Sequence, residues 1–291
     1  MNILLLGGNG MAGHLLADYL RRAAGHRVIA TVRAMREGAA AGRPSSSAPE
    51  GGVRLLDAAD LSAVAAAVRE TKPDAIVNAV GVLNREAERR PLEAFTVNGL
   101  LPHWLALLAE RVGARLVHIS TDCVFSGTRG GYAEDDVPDG TTVYAKSKAA
   151  GEVRDRRHLT IRTSIIGPEI RSEGIGLMKW FLSQTGTVAG YVNVPWNGVT
   201  TLELAKAVDY ALKHPEFGGL IHLTAPETVS KRELLELIRR VYDRNDIRIV
   251  PVREPVIDRT LLPTRSGFGY KPPGYEAMLR ELREWERSAW G

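Results

Sequence analysis

Cysteine is almost absent: Cys123 is the only one in 291 residues. No disulfide can form within the chain, which fits a reducing cytoplasm and excludes a disulfide-stapled scaffold. No apolar stretch approaches the ~20 residues that a membrane-spanning helix needs. The apolar run starting at Ile3 breaks at Gly7 and follows no basic segment, so it is not expected to be a signal peptide. Charge of one sign is lacking too: 38 basic residues face 34 acidic ones. The arginines between Arg85 and Arg90 are interleaved with Glu86 and Glu88, a solvated helix face rather than a nucleic-acid stripe. The seven histidines have no paired spacing, so no metal site is read. No internal repeat is visible.

What is present is an ordinary globular composition, 44% hydrophobic and 25% charged. Short apolar strands alternate with amphipathic helices. The strand candidates are Asn2–Leu6, Arg27–Val32, Val53–Leu56, Ala75–Ala79, Arg115–Ser120 and Thr160–Arg162. Between them lie helix candidates Gly10–Ala23, Asp60–Glu70, Pro91–Val112 and Tyr144–Asp155. This rhythm predicts an α/β fold, a doubly wound parallel sheet covered on both faces. Residues 1–165 are expected to form that dinucleotide-binding domain, with segments near 196–225 returning to it. A smaller substrate-binding α/β lobe is expected over 166–291, with helices at Gly174–Ser183, Leu202–His214, Lys231–Tyr242 and within Pro272–Trp290, and a strand at Gly190–Pro195. Glu37–Gly52 and Ser126–Thr142 read as loops from their Gly, Pro and Ser content.

Gly7, Gly10 and Gly13 follow the first strand and open a helix with Leu15, Leu16, Tyr19 and Leu20 on one stripe. Glycine triplets also occur in ordinary loops, but strand, glycine turn and helix together are what a dinucleotide-binding turn requires. Glycines admit a close backbone approach, and the helix start offers bare N–H groups and a positive dipole end to a pyrophosphate. Tyr144 and Lys148 lie one helical turn apart on one face. Alone, that pair reads as a solvated helix face. With the glycine turn it points to a nicotinamide dinucleotide at one end of a site and a proton donor at the other.

The ordered set resembles the extended short-chain dehydrogenase/reductase superfamily, and within it the dTDP-4-dehydrorhamnose reductase family of nucleotide-sugar reductases. It comprises Gly7–Gly13, Asp57, Asn78-Ala79-Val80-Gly81, Val97-Asn98, Ser120-Thr121-Asp122-Cys123-Val124-Phe125-Ser126-Gly127, then Tyr144 and Lys148. The resemblance covers most of the chain. Two departures stand out: Cys123 replaces an aromatic residue, and Trp196–Thr201 differs from the best-known rhamnose reductases, so another deoxysugar stays open.

The resemblance implies an NAD(P)-dependent oxidoreductase that reduces the 4-keto group of a nucleotide-linked deoxysugar. Tyr144 would be the general acid. A free Tyr titrates near ~10, so Lys148 would stabilise the tyrosinate and hold the nicotinamide ribose. Thr121 would orient the carbonyl oxygen; alternatively it is a strand-end cap. Cofactor contacts are expected from Gly7, Gly8, Asn9, Gly10, Met11, Gly13, Asp57, Ala58, Asn78, Ala79, Val80 and Gly81, besides Tyr144 and Lys148. Asp57 reads equally as a helix cap. Arg33 and Arg36 stand where an acidic residue would bind a ribose 2′-hydroxyl, which favours NADPH (NADP) over NADH. Substrate contacts are expected from Asn84, Thr121, Asp122, Cys123, Tyr144 and Trp196, and Lys179 and Arg265 are further candidates. Trp180 and Trp196 read as base-stacking or core residues alike, Asn98 as a structural bridge, and Cys123 as a packing residue. An epimerase or dehydratase on the same scaffold, and a non-catalytic NADP-binding regulatory subunit, are the alternatives; intact Thr121, Tyr144 and Lys148 argue against the second. The expected partner is a nucleotide sugar, with no nucleic acid or membrane; a homodimer stays open.

Overall fold

The computed structural model describes residues 1–34, 52–170, 174 and 176–290. Arg36 and nearly all of the Glu37–Gly52 segment lie outside them. Seven parallel strands form the main sheet in the order β11-β6-β5-β4-β1-β2-β3. They are β1 (Asn2–Leu6), β2 (Arg27–Val32), β3 (Val53–Leu55), β4 (Ala75–Asn78), β5 (Arg115–Thr121), β6 (Leu159–Thr163) and β11 (Gly219–His222). Successive side chains of a strand point to opposite faces. Ile3 and Leu5 therefore join one core with Leu15, Leu16 and Leu20 of α1 (Met11–Arg22) and with α8 (Thr201–Lys213). Leu4 and Leu6 join the other core, with α2 (Leu61–Thr71) and α5 (Leu101–Val112). Burying each such leucine stabilises the fold by about 2 kcal/mol. Strand order reverses between β1 and β4, and ligands of open α/β sheets bind beyond the strand ends at such a point.

The six strands predicted between Asn2 and Arg162 all form, within one or two residues at their ends. The predicted helix Pro91–Val112 differs. It is α4 (Pro91–Ala94), a wide π-type turn over Phe95–Leu100, and then α5. Pro102 supplies no N–H to the Asn98 carbonyl four residues earlier, so regular pairing breaks there. That carbonyl lies where Gly151 passes: a Cβ on Gly151 would sit 1.9 Å from it. The helix that carries Tyr144, α6 (Val143–Ala150), stops just before Gly151 instead of reaching Asp155.

Beyond Gly151 the chain drives Glu152 into the interior. Its carboxylate accepts two hydrogen bonds from the fully buried Arg162 of β6, at 2.8 and 2.5 Å, and one from Ser120 of β5. Arg162 also donates to Nε2 of His222 on β11 at 2.9 Å. The other ring nitrogen of His222 faces the Leu262 carbonyl, so it carries the proton. Burial pushes this imidazole down to about 4, which keeps it a neutral acceptor.

The rest of the chain adds α3 (Asn84–Arg89), α7 (Leu177–Leu182), α9 (Lys231–Val241) and α10 (Tyr275–Trp290). It also adds three two-stranded pairs: β7 (Ile165–Ile166) with β10 (Val199–Thr200), β8 (Gly186–Tyr191) with β13 (Ile247–Val252), and β9 (Pro195–Trp196) with β12 (Val229–Ser230). The strand expected at Gly190–Pro195 is displaced to Gly186–Tyr191, because it pairs in parallel with β13, whose presence the sequence did not signal. Among the described residues no helix is long and apolar enough to cross a membrane.

Breaking one side of a buried charge pair costs about 3–5 kcal/mol, because the other charge is left uncompensated. Glu152→Gln is expected to lower stability by about 3 kcal/mol, read as a shift of the urea midpoint at unchanged slope. A midpoint within error of wild type would show that Arg162 is held by other contacts.

Candidate active site

The glycine turn after β1 forms one wall. Gly7 has φ +90°, and a Cβ on it would meet the Val80 nitrogen at 2.9 Å. Gly13 is tighter still: its Cβ would lie 2.1 Å from the Gly7 carbonyl oxygen. The start of α1 has no side-chain cap and no acidic residue in its first turn, so its N–H groups are free of side-chain partners. Uncapped N–H groups at a positive dipole end form an anion site.

A cavity of about 670 Å³ opens beside this turn. Gly7, Asn9, Arg33, Asp57, Ala58, Val80, Gly81 and Asn84 line it, so these sequence-predicted residues are brought together. Asn78 is not among them. It is fully buried, its amide bonds His118, and its oxygen accepts from the Val80 N–H, so its side chain shapes the turn beyond β4. Asp57 accepts from the Ala59 N–H at 3.0 Å, while Asp60 caps α2. Arg33 is not solitary: its guanidinium lies 3.2 Å from Glu93, which also lines the cavity. The chain from Val28 to Arg33 holds no acidic residue, yet the fold delivers one from α4.

The wall at Val82 is tied to α6 by Asn98. Its amide oxygen accepts from the Val82 N–H at 2.8 Å, and its nitrogen donates to the Val82 carbonyl and to the Ser147 hydroxyl. Asn98 is thus a bridge, as its position in the sequence suggested. Thr121 ends β5. Its hydroxyl accepts from the Cys123 N–H at 3.1 Å, donates to the Asp122 carboxylate at 3.2 Å and faces the Tyr144 phenol. It caps the strand end and meets the phenol at once.

Burial pushes the Tyr144 phenol above its ordinary range; Cys123 pushes the same way and the Thr121 hydrogen bond pulls it back in part. Lys148 was expected to bring Tyr144 toward neutrality. Here burial outweighs any such help, and the Lys148 ammonium donates to the Ile119 carbonyl at 2.7 Å. Burial pushes Lys148 down to about 8 against the opposing pull of Glu152. Burial, reinforced by Asp122, holds the Cys123 thiol at about 12, so it keeps its proton at neutral pH. Burial also raises Asp122, opposed by Lys231, Arg259 and hydrogen bonds from Ser164 and Thr121.

Trp196 is buried, stacked on Tyr275 at 5.5 Å. Arg265 donates to the Leu220 carbonyl on the edge strand β11, apart from the cavity, and Trp180 is part-exposed on α7. Sequence reading missed Glu93 and Lys231. For Lys231 a signal existed: a lysine is the first residue of a helix, against the dipole. Among the described residues no group of His, Cys, Asp and Glu could hold a metal ion.

The family of the RmlD substrate binding domain matches residues 1–266. A dTDP-4-dehydrorhamnose reductase of Salmonella typhimurium is 34% identical over 188 residues, 60% of this chain and 62% of that enzyme. The spore coat polysaccharide biosynthesis protein SpsK of Bacillus subtilis is 30% identical, with 99% of this chain and 98% of that protein covered. Among solved structures, a Bacillus anthracis dTDP-4-dehydrorhamnose reductase in complex with NADP superposes with a TM-score of 0.77 at 21% identity, covering 97% of this chain and 98% of that one. That likeness concerns the fold.

Proposed function

The chain belongs to the family of the RmlD substrate binding domain, and from that premise we propose that it reduces the 4-keto group of a dTDP-linked deoxysugar, using NADPH. The observation that carries this reading is the hydroxyl pair of Thr121 and Tyr144, set at the end of β5 with Lys148 one turn away. The glycine turn, the uncapped start of α1 and the cavity beside them fit a dinucleotide. When bound, its nicotinamide supplies the hydride that the carbonyl carbon gains.

The protein supplies the proton and the geometry. Thr121 donates a hydrogen bond to the carbonyl oxygen as negative charge grows there. Tyr144, whose raised pKa keeps it protonated at neutral pH, transfers its phenolic proton to that oxygen, which gives the alcohol. Lys148 stabilises the tyrosinate left behind. Net reduction is favoured over an epimerase or dehydratase on the same scaffold by the relatives named dTDP-4-dehydrorhamnose reductase. The single cysteine fits action in a reducing cytoplasm.

Tyr144→Phe is expected to lower kcat about 100-fold or more with NADPH binding retained, measured by absorbance and by fluorescence titration. Near-wild-type turnover would remove Tyr144 as the acid.

The pH profile follows from Lys148. Its folded pKa is lowered to about 8, so it is charged below that pH and neutral above it. Tyr144 stays protonated through the same interval. The value of kcat is therefore expected to fall as pH rises through about 8. A flat kcat up to pH ~10 would show that the Lys148 charge is not needed.

Arg33 can exchange its Glu93 partner for a 2′-phosphate, because its side chain is mostly exposed and such surface pairs are weak. Arg33→Ala is expected to weaken NADPH by about 10–100-fold and NADH far less, the worth of a charge-assisted hydrogen bond. Equal loss for both cofactors would mean that Arg33 does not read the phosphate.

A further inference from the structure

Lys231 is the first residue of α9, behind a Ser230 cap that forms a reciprocal box with Glu233. A helix start carries partial positive charge, so an ammonium there is disfavoured before burial is considered. Its backbone N–H is fixed to the Val194 carbonyl at 2.9 Å. Its Nζ stands over the Trp196 indole, 4.6 Å from the ring centroid. The titratable groups facing it are the Asp122 carboxyl and the neutral Cys123 thiol, the two residues after Thr121. Among the described residues, no hydrogen-bond acceptor and no carboxylate within 4 Å reaches this ammonium. Burial pushes it down to about 8, so the charge is costly to hold. Asp122 is meanwhile served by Ser164, Thr121 and the nearby Arg259. Lys231 is only half-buried, so a bound ligand can reach its ammonium.

We propose that Lys231 is a substrate-positioning and specificity-determining residue: its ammonium donates to the sugar hydroxyl on the carbon next to the reacting carbonyl, and the Asp122 carboxylate accepts from that hydroxyl. The placement follows from the chain. Thr121 holds the carbonyl oxygen, and the next residues, with Lys231 facing them, reach the adjacent ring carbon. Trp196 below offers an apolar, electron-rich face that orients the ammonium, and cation–π contact stabilises it without consuming its N–H donors. A site built to bond a hydroxyl rejects a ring that lacks it, because its polar groups would be left unpaired. The inference rests on the proposed reduction only for the class of sugar.

The test uses Lys231→Met and Lys231→Arg in the full chain. For Lys231→Met, KM for the 4-keto sugar nucleotide is expected to rise about 10–100-fold while kcat changes far less, because ground-state and transition-state contacts to this hydroxyl are lost together. Calorimetric affinity for dTDP-rhamnose, the alcohol such a reduction gives, falls by a similar factor. Affinity for dTDP and for NADPH stays at the wild-type value, and Tm does not drop. Lys231→Arg keeps the charge and recovers part of the affinity. With a substrate deoxygenated at that carbon, wild type and Lys231→Met are expected to have the same KM. An unchanged KM in Lys231→Met overturns the inference. Equal loss of dTDP affinity does so too, since the ammonium would then serve the diphosphate. A fall in Tm together with lost NADPH binding would assign Lys231 to the fold and also overturns it. A wild-type chain that binds the sugar nucleotide but does not reduce its keto form would sink the proposed function alone; one that binds no sugar nucleotide sinks both.

Discussion

The ion pair of Glu152 and Arg162 holds α6, the helix of Tyr144 and Lys148, to the sheet. Glu152 lies just beyond the end of α6, and its carboxylate meets Arg162 of β6 and Ser120 of β5. Arg162 extends the contact to His222 on β11, so one buried network spans three adjacent strands. Ser120 immediately precedes Thr121, and Glu152 follows Lys148 by one helical turn. The same carboxylate therefore fixes both ends of the Thr121–Tyr144–Lys148 geometry. It also opposes the loss of charge at Lys148. An apolar pair could fill this volume with no loss of stability. It could not serve both the strand-end serine and the helix that carries the lysine.

A second bridge sets the distance between the cofactor wall and α6. Asn98 bonds both backbone groups of Val82 and the Ser147 hydroxyl. Its side chain can do this because the helix around it is widened, and Pro102 releases the Asn98 carbonyl from regular pairing. Gly151 then passes against that carbonyl at a distance no Cβ would allow. The break in the long helix and the early end of α6 are thus one packing event. Pro102 supplies the local part of that event, and the approach of Gly151 to the Asn98 carbonyl supplies the tertiary part.

That contrast shows what was legible. The central strands were, because a strand buried on both faces must be continuously apolar, as Ile3–Leu6 and Ala75–Val77 are. The glycine turn was legible, because only glycine tolerates the approach at Gly7 and Gly13. Thr121, Tyr144 and Lys148 were legible as an ordered set, and the fold places them around one strand end. Short pairings such as β8 with β13 were not, since each strand's partner is distant in sequence, glycines begin and interrupt β8, and Pro251 interrupts β13. Glu93 was hidden for a related reason. It belongs to α4, and only the folded chain brings it to Arg33.

Buried charge separates the scaffold from the site. In the scaffold Arg162 is paired with Glu152 at close range. Around Thr121 the two lysines are not so paired. Lys148 has a backbone carbonyl and Lys231 an aromatic face, and burial pushes both down to about 8. A shift of that size corresponds to about 3 kcal/mol for each lysine held as a cation. Both lie by the end of β5, Lys148 on the Ile119 carbonyl and Lys231 facing Asp122. Strain of this kind persists only where the surrounding structure over-determines it. Here the determinants are Asn98, Gly151 and Glu152 for Lys148, and the Ser230–Glu233 cap for Lys231. The rigid, fully paired network is therefore the condition under which the under-paired cations can stay in place.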